Sequence, residues 1–551
     1  MAKIACAGAT ALLAALLMGV CAYPAWADPA WADQGSAKPA QSANSSGGAG
    51  QAEGNSQAAP PAKTEAQPDT RLTPQQANEL FQSVSEILTF ASNDTKLPIE
   101  HEVKRRLISR DQVQKYILDK LRTDKDAKRT EREEVVLKKF GLLDRDFHLQ
   151  PFMVSLLTEQ IAGFYDNKTK TVNLLDWVPV DDQKPVMAHE LTHALQDQHT
   201  DLDKWEPDTP DKMSKTVRED NQRIAVDEQD TARDAVLEGQ AMAVYVDYAL
   251  KSQGNASNAA PNDDSQNTIG ISPDEDSSDS SDIDASSSPV MARAPKLLQQ
   301  SLLFPYKEGF KFEQTLVQDK GRQYAFAGVL DHPPSSSYEI MNPRAFERGR
   351  PVPLLQLPDL HPLLDSEYTP YDIGVMGELD VRILVGIFAD DDQAAALAPE
   401  WNGGIYYAVQ RKSAKSAAEK DSTASISLLY LSAWKSETAA QVFAKIYAQE
   451  ISTKYSEAKR DSNDEAGPDE QIYQTNEGPV LIVRQGRQVF VSESFDLDQA
   501  RKLEFLLMGA QKGAAIEAHT NPLPVFDPAL HLSSLMSSCG MMKAALRGPG
   551  F

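Results

Sequence analysis

His189-Glu190-Leu191-Thr192-His193 is the stretch on which the reading of this chain turns. On an α-helix, positions four apart share a face, about 6 Å apart along the axis and about 40° around it, so both imidazoles reach one metal ion. Glu190 sits beside them, placed to act on a water held by that ion. Histidine is scarce, nine in 551 residues, yet His189, His193 and His199 crowd one short segment. That concentration favours a site over unrelated buried histidines.

A catalytic zinc ion needs three protein ligands and one open position. His199 lies ten residues after His189, an offset that works only if the chain turns sharply between them, usually at a glycine. Gln196 occupies that turning position. The helix is therefore expected to continue, leaving His199 about 15 Å along the axis and about 280° around it from His189. The stronger candidate is Glu238, in Ala235-Val236-Leu237-Glu238-Gly239-Gln240-Ala241, on a second apolar helical run from Val226 to Leu250. Gly239 and Ala241 add little bulk beside it, so the two helices are expected to approach closely enough to share an ion. The expected metal set is His189, His193 and Glu238, with zinc as the ion and Glu190 as the general base.

Three segments carry a resemblance. They are Glu159-Gln160-Ile161-Ala162-Gly163-Phe164-Tyr165-Asp166, the run from Ala188 through His189-Glu190-Leu191-Thr192-His193 to His199, and Leu237-Glu238-Gly239-Gln240-Ala241. Together they resemble gluzincin-type zinc metallopeptidases, most closely exported bacterial members. The likeness extends to Phe304-Pro305-Tyr306-Lys307-Glu308-Gly309 and Pro333-Pro334-Ser335-Ser336-Ser337-Tyr338-Glu339. It implies zinc, a thermolysin-like core and hydrolysis of peptide bonds, and it covers about residues 95–350. Asn342, before Pro343, stands where such relatives often carry histidine, so no oxyanion-stabilising role is assigned there. Tyr245, seven residues beyond Glu238 on the same helical face, and Tyr338 are the candidate oxyanion donors. Asp234 and Asp197, each one turn from a ligand, are candidates to orient the histidines.

Organisation follows from pattern. The expected class is α+β: a mostly helical zincin-like metallopeptidase core with a short β-hairpin, and a C-terminal antiparallel α+β domain. Residues 28–71 are poor in large apolar side chains and read as a disordered linker. The metallopeptidase domain spans 72–350, with a helical lead-in at 72–160 opened by Thr73 as cap and Pro74 as first helical residue. Ile161 to Tyr165 and Lys170 to Leu175 read as strands around an Asp166-Asn167-Lys168-Thr169 turn, and Pro185 reads as the start of the motif helix. Such a hairpin offers an edge strand to an extended peptide. Residues 252–292, rich in Ser, Asp, Asn and Gly, read as a disordered insert without the alternating ligands of a calcium loop. Residues 351–515 form the C-terminal domain, with strands around 405–409, 426–430, 480–483 and 489–491 and helices from Ser436 and Asp498. A loose tail, 516–551, follows.

Charge and targeting bound the setting. The net charge of −25, from 55 basic and 80 acidic residues, disfavours nucleic acid and anionic membrane as partners. Lys3, an apolar run from Ile4 to Val20, and Ala25-Trp26-Ala27 read as a signal peptide, residues 1–27, cleaved near Ala27. No other apolar run is long enough for a membrane span. Loss of Cys6 and Cys21 with that segment would leave Cys539 alone, so no intrachain disulfide is expected. The expectation is an exported peptidase, periplasmic or secreted, acting on peptide or protein substrates. A different class of function fits the same residues: a catalytically idle zincin-fold protein exported for binding or assembly.

Overall fold

The computed structural model describes residues 71–123, 127–205, 215–252 and 289–511. The expected signal peptide, the linker up to residue 70, residues 253–288 of the insert, Cys539 and the tail lie outside these residues. Structure starts where the capping signal stands. Thr73 and Gln76 form a reciprocal capping box ahead of helix α1, Pro74–Thr95, which has Pro74 in its first turn. Strand β1, Lys104–Ile108, is followed by helices α2, Arg110–Thr123, α3, Ala127–Phe140, and α4, Leu149–Gln160.

The expected hairpin is present as β2, Phe164–Asp166, and β3, Thr171–Leu175, paired antiparallel. Strand β1 joins β3 in parallel, giving a three-stranded sheet in the order β1-β3-β2 with β2 at one edge. The motif helix α5 spans Val180–Thr200, so Pro185 does not start it. The side chain of Gln183 fixes the earlier start. It accepts from the Leu175 N–H at 3.0 Å and donates to the carbonyls of Leu175 at 2.9 Å and Val178 at 2.7 Å. The first turn is thus tied to the end of β3, and Asp181 and Asp182 there complement the helix dipole. Pro185, within the helix, costs only one backbone donor.

Helices α6, Val217–Val226, and α7, Gln229–Ser252, follow; α7 is buried along most of its length. Within the span expected as insert, the described chain takes up again at a helical turn, Pro289–Ala292. The N–H groups of Val290 and Met291 there donate to the Glu159 carboxylate. Helix α8, Lys296–Lys320, then runs unbroken through Pro305. It crosses α7 at Gly239 and Gly309. A Cβ on Gly239 would lie 2.2 Å from the Gly309 carbonyl oxygen, and one on Gly309 would lie 2.1 Å from that of Ala235. Gly239 therefore serves contact with α8 rather than the expected approach to α5.

Beyond a π-helical turn at Tyr324–Gly328 and helix α9, Ser337–Met341, the chain builds a seven-stranded antiparallel sheet. Strand β4, Tyr368–Val375, precedes helix α10, Glu378–Phe388, and strands β5, Trp401–Arg411, and β6, Ile426–Trp434. Helix α11, Glu437–Lys454, leads to β7, Ala458–Arg460, β8, Glu470–Thr475, β9, Gly478–Gln485, and β10, Gln488–Glu493, and helix α12, Leu497–Gln511, ends the described chain. The order is β4-β5-β6-β10-β9-β8-β7. The expected strands and helices are all present, and β4, β7 and β8 are additional.

A buried polar network fastens α3 to this sheet. Lys139 Nζ donates to Glu477 at 2.8 Å and to Ser494 Oγ at 2.6 Å, while Lys454 meets Glu493, which also accepts from Tyr447 at 2.6 Å. Burial lowers both lysines, opposed chiefly by these carboxylates.

Two predictions follow from the packing. Gly239→Ala forces the α7 and α8 backbones apart and should cost about 3 kcal/mol or more in denaturant unfolding, against a neutral Gly467→Ala with open space around it. Equal stability of the two variants would refute the close crossing. Burial raises the Glu378 carboxyl from its ordinary 4.5 to about 7, with the Asn342 hydrogen bond opposing. The folded chain then holds this proton more tightly than the unfolded one, so stability falls as pH rises through that window. Glu378→Gln should flatten the fall in thermal midpoint over the same pH range, and parallel curves would contradict it.

Candidate metal centre

Helices α5 and α7 bring His189, His193 and Glu238 together, all three buried, with one ligand atom of each within 4.8 Å of the others. His189 Nε2 is 3.0 Å from Glu238 Oε2 and 3.1 Å from His193 Nε2, and His193 Nε2 is 3.4 Å from the same carboxylate oxygen. Ligands at about 2.0–2.1 Å around a tetrahedral zinc stand about 3.3 Å apart along each edge. The three separations match one face of such a tetrahedron, so the residues fit the ion. The two imidazoles meet edge to face, with centroids 4.7 Å apart and planes at 87°. Burial alone would raise the Glu238 carboxyl, but the facing imidazoles of His193 and His189, when they carry a proton toward it, outweigh burial and draw it down to about 2.

Glu190 lies on α5 between the histidines and is fully buried. Its Oε2 accepts the backbone N–H of Tyr165 at 2.8 Å, so the edge strand β2 holds the carboxylate. Gly163, just before β2, packs closely on α5: a Cβ there would stand 3.3 Å from Val186 Cγ1 and 3.8 Å from Glu190 Cγ.

His199 lies outside the cluster. Helix α5 runs on through Gln196 to Thr200, and His199 Nε2 pairs with Asp331 at 3.0 Å. Asp197 does not take the expected orienting role. Asp197 accepts from the Tyr165 hydroxyl at 2.7 Å, from Lys170 at 2.8 Å and from the Leu202 N–H at 3.1 Å, which ties α5 to the hairpin. Asp234 is buried on α7 one turn before Glu238. The group on His193 is Gln196, whose Oε1 lies 2.8 Å from Nδ1 and whose Nε2 donates to the Leu237 carbonyl at 3.1 Å.

The two expected tyrosines lie on α7 and α9. Tyr245 is buried on α7, its hydroxyl pushed up to about 12 by burial and then by Asp182, two turns before His189 on α5. Tyr338 packs on Trp401 with centroids 5.9 Å apart, toward the larger sheet. An aromatic beside the cluster is Tyr306, buried on α8, whose ring lies 6.4 Å from that of His189 at 29°. Its signal in the sequence was Phe304-Pro305-Tyr306, where a proline interrupts a helical run.

No family model, curated protein or solved structure matches the chain. Among the described residues, no helix is long and apolar enough to cross a membrane. Removal of Glu238 should abolish metal retention while removal of His199 should not. Zinc analysis of purified Glu238→Ala and His199→Ala checks this, and loss of zinc from the His199 variant alone would reverse the ligand set.

Proposed function

We propose that this protein is an exported zinc-dependent peptidase with a zincin-like core of gluzincin type. The observation that carries the reading is the convergence of His189, His193 and Glu238 with Glu190 held between the two histidines by the Tyr165 N–H. The arrangement of the hairpin, α5 and α7 supports the zincin-like reading, since the β2–β3 hairpin precedes a helix bearing two histidines and a second helix adds the glutamate. The export reading rests on the N-terminal sequence.

Zinc in this site would supply a Lewis acid and lower the pKa of a bound water. The chain's own residues do the rest. Glu190 takes the proton of the attacking water and returns it to the leaving amine as the tetrahedral intermediate collapses. Tyr165 keeps that carboxylate aimed through its backbone N–H. The buried walls of α5 and α7 exclude bulk water, which strengthens every charge interaction at the reacting atoms.

Glu190→Gln should keep zinc and fold yet lose about 10²- to 10⁴-fold in peptide hydrolysis. Assay of the purified full chain against a mixed peptide library, with zinc content measured alongside, checks this. Wild-type turnover by the zinc-loaded variant would refute the role of Glu190.

A further inference from the structure

We propose that the π-helical turn at Tyr324–Gly328 fixes the tautomer of His193 through two glutamines, so that Gln196 and Gln240 are positioning residues of the metal centre. The inference rests on the zinc reading above for its functional meaning, though its structural logic stands without it. A π-turn leaves backbone carbonyls turned away from the regular helical ladder. Here Gln240 Nε2 donates to the carbonyls of Ala325 at 2.9 Å and Phe326 at 3.1 Å. Carbonyl oxygens only accept, so the amide nitrogen of Gln240 must face them and its oxygen must face away. That oxygen receives Gln196 Nε2 at 2.9 Å, while the same nitrogen donates to the Leu237 carbonyl at 3.1 Å. Gln196 therefore turns its own oxygen to His193 Nδ1, 2.8 Å away. An amide oxygen at that nitrogen demands a hydrogen on Nδ1, and the neutral ring then presents its Nε2 lone pair toward His189 and Glu238.

Every member of the chain is sealed from water: Gln196 and Gln240 are 0% exposed. Reversing either amide would set oxygen against oxygen in a region of low polarity, a costly arrangement. The chain just after the π-turn is held at the end of α5, where Asp331 meets His199, and just beyond it, where the Leu330 carbonyl accepts from Trp205 Nε1 at 2.8 Å. Gln196 is thus more than the residue that stands where a turning glycine would be.

The test uses the full chain with selectively nitrogen-15-labelled histidine, free of zinc, at a pH where imidazole is neutral. The expected spectrum assigns the His193 hydrogen to Nδ1; a hydrogen on Nε2 in the wild type overturns the proposal without any variant. Zinc affinity by competition with a chelator then compares Gln196→Met, Gln240→Met and the double variant, with circular dichroism confirming fold. Gln196→Met should bind about 10- to 100-fold more weakly. Gln240→Met should also weaken binding, and the double variant should be no weaker than Gln196→Met, because Gln240 acts through Gln196. A folded Gln196→Met with wild-type affinity, or additive losses in the double variant, would overturn the relay. Failure of the wild type to take up zinc would overturn the metal reading instead, leaving the tautomer to decide the role of Gln196.

Discussion

Two imidazoles and a carboxylate lie within 3.4 Å of one another in a core closed to water. Burying such groups is expensive unless each lone pair meets a proton or a cation. The surrounding structure is arranged to hold that concentration in place. Helix α7 brings Glu238 against α5, α8 locks α7 through the Gly239 and Gly309 crossing, and Gln183 pins the first turn of α5 to β3.

The edge strand adds direction to the site. Strand β2 does not merely precede the motif helix; it donates the Tyr165 N–H to Glu190, while the Tyr165 hydroxyl reaches Asp197 two turns along the same helix. One residue of the hairpin thus grips α5 on both sides of His193. The seven-stranded sheet stands apart from these ligands and is joined to the helical lead-in by the buried Lys139, Glu477, Lys454 and Glu493 network. Such a network, with each charge paired, fixes a relative position more than it adds stability.

Much of this was legible in the sequence, and the failures are instructive. Helical periodicity and scarcity of histidine identified His189 and His193, and the missing glycine at Gln196 correctly kept α5 straight and His199 away. Glu238 was recognisable as an acid on an apolar helix. Pro185 misled because local propensity ignores the Gln183 side chain, which starts the helix five residues earlier. Gly239 was read against the wrong neighbour, since a sequence shows that a residue is small but not which helix uses the space. Asp197 was expected to orient a histidine, whereas the fold gives His193 the amide of Gln196. Strands β4, β7 and β8 were missed: β4 carries Pro370 and a bulge, β7 has three residues, and β8 is mixed in burial.

The central claim is that two histidines and one glutamate of this chain hold zinc. Zinc K-edge X-ray absorption on the purified full chain tests it most directly. The prediction is a first shell of nitrogen and oxygen only, at about 2.0–2.1 Å, with the outer-shell scattering of two imidazoles. A shell containing sulfur near about 2.3 Å, a shell without imidazole scattering, or a protein that retains no zinc would contradict it.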